Sequence, residues 1–241
     1  MPRAKALQRP RTVATATRLR RAAVLLTLAL ALTASGCEIP AQFLSWLIAP
    51  RHPKKMVQAE YELTAERLVI VLYAGTDILF TYPATPIEVS QALVRQLAGH
   101  CKDRVKNVVH PVEVVRWQES NLEWPNMALE DIAKTFQADT LLYVELERYT
   151  MIEERSANLL RGRVRARVQV VKADPKGALT SGAGRNPVYE TTVETIFPED
   201  RPVGVLAVSE RELRGAVIRV FARDVIRKFY AHEVKDQGGR M

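Results

Sequence analysis

The chain has 241 residues, 47% hydrophobic and 26% charged, with 11 Gly and 13 Pro, which excludes collagen-like, mucin-like and wholly disordered proteins. Its formal net charge of +8 is concentrated at the front: residues 1–36 hold seven basic side chains (Arg3, Lys5, Arg9, Arg11, Arg18, Arg20, Arg21) and no acid. The rest carries 28 basic against 27 acidic groups, so the charge does not point to a nucleic-acid partner.

After Arg21, residues 22–34 run for thirteen positions without a charge, and the small residues Ser35 and Gly36 precede Cys37. Basic segment, apolar run and small pair in this order form a secretory signal; the run is too short to cross a membrane, which takes about 20 apolar residues. The string Leu32-Thr33-Ala34-Ser35-Gly36-Cys37 resembles the lipobox of bacterial lipoproteins, with Ala34 where Leu is usual. That resemblance implies cleavage between Gly36 and Cys37, with fatty acyl chains on the Cys37 thiol and on the new amino group. The protein is then held at a membrane, because each buried methylene contributes about 0.8 kcal/mol. Glu38 follows where enteric lipoproteins retained at the inner membrane commonly carry Asp, which favours the periplasmic face of the outer membrane. Cys101 then stands alone, without a partner for an intramolecular disulfide, and reads as a small packed residue.

The segment 39–49, with Phe43, Leu44, Trp46, Leu47 and Ile48, reads either as a tether dipping into headgroups or as a short helix packed on the body. The body begins near Met56. Within 67–73, Leu68, Val69, Ile70, Val71 and Leu72 are aliphatic without a break, the pattern of a strand buried on both faces. A loop is expected over 74–84. Thr85-Pro86-Ile87-Glu88 is in capping-box order and opens a helix to about Lys102. Residues 112–117 read as a second strand, and Pro125-Asn126 as the start of a helix through Phe136. Residues 140–146 form a third, buried-type strand.

The period then changes. Over 161–171, Val164, Ala166, Val168 and Val170 alternate with Arg163, Arg165, Arg167 and Gln169, as expected of a strand with one wet face. After the turn signal at Asp174-Pro175-Lys176-Gly177 and the glycine-rich 181–184, residues 188–197 read as the returning strand of a long antiparallel hairpin. Ser209-Glu210-Arg211-Glu212 is a second capping box, opening a helix to about His232. The expected fold class is α/β (α+β): one mixed sheet in the order β-α-β-α-β-β-β-α. The expected layout is a signal peptide (1–36), anchor and tether (37–56), one domain (57–235) and a frayed tail (236–241). This order, with the phrase Phe136-Gln137-Ala138-Asp139-Thr140-Leu141-Leu142-Tyr143-Val144 leading from helix into strand, resembles the curli-secretion lipoprotein family and the amino-terminal domain of the Tol-system propeller protein. The resemblance carries topology only.

His52, His100, His110 and His232 are too scattered for a zinc site, the 181–184 glycines lack a following helix to cradle phosphate, and no Gly-x-Ser-x-Gly elbow is present. No metal, cofactor or catalytic residue is therefore expected. Arg161, Arg163, Arg165 and Arg167 share one strand face, and two readings stand. The strip docks anionic headgroups, peptidoglycan carboxylates or an acidic partner, or it is a solvated face balanced by Glu145, Glu147, Glu190 and Glu194; balanced overall charge favours the second. The expected function is a non-catalytic, membrane-anchored envelope lipoprotein serving as scaffold or accessory subunit of an envelope or secretion/transport assembly, with a protein partner or self-association. Alternatives are a transporter accessory that binds hydrophobic cargo, and a cell-wall or lipid hydrolase with a dispersed site.

Overall fold

The computed structural model describes residues 54–173 and 187–235. The signal segment, Gly36, Cys37, the 39–49 segment, the 181–184 glycines and the tail lie outside the described residues. The elements are β1 (Lys54–Val57), β2 (Ala65–Ala74), α1 (Thr76–Thr81), α2 (Thr85–His100), β3 (Val105–Val108), α3 (Pro111–Ser120), α4 (Leu129–Thr135), β4 (Thr140–Ile152), β5 (Leu159–Lys172), β6 (Tyr189–Phe197), β7 (Val203–Gly204), α5 (Glu210–Ile226) and β8 (His232–Lys235). Short 3-10 turns occur at Trp124–Asn126 and Arg227–Phe229. The expected tether boundary at residue 56 falls inside β1.

The class is mixed α and β as expected, but two sheets replace the single one, and the observed order β-β-α-α-β-α-α-β-β-β-β-α-β replaces the expected β-α-β-α-β-β-β-α. The main sheet runs β3-β2-β4-β5-β6 with β7 against β5, and β1 pairs with β8 in a separate antiparallel ribbon. β2 lies parallel to both β3 and β4, while β4, β5 and β6 are antiparallel. One face of the sheet carries α2 and α5: Leu68, Ile70, Val144, Ala166 and Val168 meet Val89, Leu93, Val217 and Phe221. The opposite face carries α3 and α4 over β2, β4 and the last residues of β5, where Val69, Val71, Leu141 and Val171 meet Val114, Ile132 and Phe136. β2 is thus covered on both sides and reads as an unbroken aliphatic run, whereas β5 is covered mainly on one side and alternates.

Five expectations are corrected. The helix expected from Pro125-Asn126 begins only at Leu129, after the 3-10 turn over Trp124–Asn126. Residues 112–117 are helical: Pro111 takes the first helical position, where its missing N–H is harmless, and His110 Nδ1 accepts from the Val112 N–H at 3.3 Å. The strand of this unit is instead β3, four residues with one buried side chain, too short to display a period. Residues 76–81, expected as loop, form α1, which buries only Ile78. The Thr85–Glu88 capping box is absent, because the Thr85 hydroxyl donates to the Tyr82 carbonyl (2.7 Å) and Glu88 is drawn to Arg214 (3.2 Å). The last helix stops at Ile226 rather than near His232, and residues 232–235 cross to pair with β1. The second capping box forms as expected: the Glu212 N–H donates to Ser209 Oγ (3.3 Å) and the Ser209 N–H to Glu212 Oε2 (2.9 Å).

The phrase leading into β4 has a local cause. Gln137 adopts a left-handed conformation (φ 52°), and the Ala138 N–H returns to the Ala133 carbonyl, closing α4. Asp139 then accepts from the Arg67 N–H (2.7 Å) and the Glu66 N–H (3.3 Å), tying the start of β4 to the start of β2. Hydrogen bonds to a charged acceptor are worth about 1.5–3 kcal/mol, so Asp139→Ala is expected to lower stability by about 2 kcal/mol, read as a shifted urea midpoint with unchanged slope.

Candidate functional site

Two surfaces follow from this architecture. The first is the part of the sheet face that α3 and α4 leave uncovered. The pleat sends Arg161, Arg163, Arg165 and Arg167 to that face, while Val164, Ala166 and Val168 go to the core. Each guanidinium has a carboxylate within 4 Å. Glu153 sits between Arg163 (2.8 Å) and Arg161 (3.3 Å), Arg165 reaches Glu147 (3.0 Å), and Arg167 lies among Glu147 (3.6 Å), Glu145 (3.8 Å) and Glu190 (3.9 Å). Glu194 stands opposite Arg165 in the β5–β6 register. Arg161 also donates to the Pro198 carbonyl (3.1 Å). The acid that the sequence analysis missed is Glu153. It precedes the β4–β5 turn, and only the fold of that turn brings it back over β5.

The Arg163 hydrogen bond holds the Glu153 carboxyl below the usual carboxylate range, and Glu153 in turn raises the Arg163 guanidinium. A carboxyl lowered by folding stabilises the fold above its unfolded pKa and loses that contribution as pH falls through its folded value. Arg163→Ala is therefore expected to flatten the acid limb of the stability curve between about pH 5 and pH 3, seen by urea melts at stepped pH. An unaltered limb would mean that the bridge contributes nothing.

The second surface was not foreseen. The connection leaving β2 passes to one face of the sheet (α1, α2), and the connection leaving β3 passes to the other (α3, α4). Where such connections part, an open α/β sheet leaves a crevice beyond the carboxyl ends of its strands, the usual place for a ligand. Here it has a volume of about 610 Å³, walled by Leu79, Pro86, Ile87, Val115, Leu122 and Trp124. Trp124 stands edge-on to Tyr73, with ring centroids 5.8 Å apart. The Leu72 carbonyl, which has no β3 partner at that level, is taken by Gln118 Nε2 at 3.0 Å. Glu119 is the one charged side chain among the described residues lining it. The crevice draws on segments 72–87 and 115–125, and no single stretch of sequence marks it.

The remaining residues singled out by sequence sit in structural roles. Cys101 is buried beside Leu97, and burial pushes its thiol pKa up. His100 stacks on Tyr230 with centroids 4.4 Å apart, and His232 lies in β8. Among the described residues there is no cluster of three His, Cys, Asp or Glu able to hold a metal, and no helix long and apolar enough to cross a membrane.

Fold and surfaces together define a layered α/β domain whose sheet is covered completely on one face and half-covered on the other. No protein-family model and no curated protein matches the chain. It is similar in structure to the PelC dodecamer from Paraburkholderia phytofirmans, with 11% identity, 75% of this chain and 98% of that chain covered, and a TM-score of 0.40. It is also similar to the lipoprotein GNA1162 from Neisseria meningitidis, with 14% identity, 64% and 94% coverage and a TM-score of 0.39. Neither likeness says what this chain does.

Proposed function

We propose that the protein is a bacterial envelope lipoprotein, anchored through acyl chains on Cys37, that acts without catalysis as a scaffold or accessory subunit of an envelope or secretion/transport assembly. The observation that carries this reading is the order of basic segment, thirteen uncharged residues, Ser35-Gly36 and Cys37. Glu38 in the following position favours the periplasmic face of the outer membrane. The paired state of the arginine strip supports a solvated face balanced by its glutamates rather than a surface that captures free anions. Co-purification of the acylated protein from its native membrane, followed by identification of what accompanies it, tests the assembly role; a protein recovered alone and monomeric overturns it. Charge reversal at Arg163 and Arg165 tests the docking alternative: a weakened association would place the strip in the interface, and an unchanged recovery leaves it a solvated face. A second reading, an accessory protein binding hydrophobic cargo, is favoured by the apolar crevice.

A further inference from the structure

The described residues place three large apolar side chains almost wholly in solvent: Phe80 at 90%, Leu122 at 82%, and Leu206 fully exposed, against 56% for Met56, the next in order. All three lie at one end of the domain. Phe80 belongs to α1, which directly follows the end of β2, and Leu122 is on the wall of the crevice at that same end. Leu206 precedes α5, whose first turns meet the start of α2 through Arg214, 3.2 Å from Glu88 and 5.9 Å from the centroid of the Tyr82 ring. Its neighbour Val205 donates to the Asn158 carbonyl (3.2 Å) at the tip of the β4–β5 hairpin. That hairpin runs on past the last β2 pair, Ala74 with Leu146, to Ile152. Scattered single apolar residues are ordinary on a protein surface, but the most exposed ones collected at the end of the domain that holds an apolar crevice mark an interaction face.

The crevice indicates what that face takes. Its described lining offers no cation to an anionic group, and the Leu72 carbonyl is already engaged by Gln118. Apart from Tyr73, Thr76, Gln118 and Glu119 its described lining side chains are apolar, which suits a hydrocarbon chain. A bilayer is also within reach. The 17 residues from Cys37 to Pro53 extend to at most about 60 Å, whereas β2, with 10 residues, is about 33 Å long. An anchor preceding β1 therefore does not prevent the opposite end from meeting the membrane.

We infer that this end of the domain is a lipid-contacting face: Phe80, Leu122 and Leu206 enter the acyl region of the bilayer, and the crevice receives one acyl chain of a phospholipid. The inference rests on the anchored-lipoprotein reading for its source of lipid. The test uses the full acylated protein in phosphatidylcholine vesicles containing a phospholipid with a photoactivatable diazirine on its acyl chain, with adducts located by peptide mass spectrometry. Adducts are expected within 79–87 and 115–125 in addition to the amino-terminal peptides. Phe80→Asp combined with Leu122→Glu, both at exposed positions that leave the core intact, should lower the domain adducts by well over about tenfold, since losing one buried apolar side chain already accounts for about that factor. Adducts confined to the amino-terminal peptides overturn the lipid-facing assignment and leave the anchor standing. No adduct anywhere overturns both. Equal labelling of the double variant, with an unchanged melting curve, also overturns the assignment, as does crosslinking of these peptides to a co-purified protein instead of lipid.

Discussion

Cys37→Ala is expected to abolish acylation completely and to leave the precursor uncut before position 37. The thiol is the only group that can take the first lipid, and without that lipid the lipoprotein signal peptidase has no substrate. Two or three acyl chains, at about 0.8 kcal/mol for each buried methylene, hold a protein stably at a bilayer, whereas one chain holds it only marginally. The measurement is metabolic labelling with a fatty-acid analogue, together with the intact mass of the native protein. Labelling that survives the substitution, or a native mass without acyl chains, refutes the reading. This prediction concerns position 37 in the sequence and does not depend on the folded domain.

The largest expected effect within the domain is at Gly162. This residue lies on the core side of β5, and a Cβ built there would overlap both methyl groups of Val217, a fully buried residue of α5. The glycine is what lets the helix approach the strand. Added volume in a well-packed core costs about 1–3 kcal/mol, and because Val217 is hemmed in by its neighbours, Gly162→Ala is expected near the upper end, about 3 kcal/mol. Val217→Ala should return part of that loss in the double variant, with a coupling energy of at least about 0.5 kcal/mol. Purely additive losses in a double-mutant cycle would show that the close approach is not the cause.

Legibility in the sequence followed local physics. The unbroken aliphatic run of β2, the alternation of β5 and the Ser209–Glu212 box were readable because each reflects an environment imposed along one short stretch. The reading of 112–117 as a strand failed because Val112, Val114 and Val115 resemble a β-branched run, while the deciding signal was Pro111 behind His110, a helix start. α1 and the β1–β8 ribbon are too short to carry a period, and the ribbon joins residues from the two ends of the domain. The strip of arginines was legible; its strongest acidic partner, Glu153, was not, because a turn rather than a ladder position brings it there.

What the sequence determined by itself is the faces of the longest strands, together with the basic-apolar-small order before Cys37 on which the anchor proposal rests, since charge order and side-chain period are properties of the chain. Tertiary structure alone decided the crevice and the shared location of Phe80, Leu122 and Leu206. Nothing in one segment specifies where a strand ends relative to helices from opposite sides of a sheet, and solvent exposure is settled only when distant segments either cover a side chain or leave it bare.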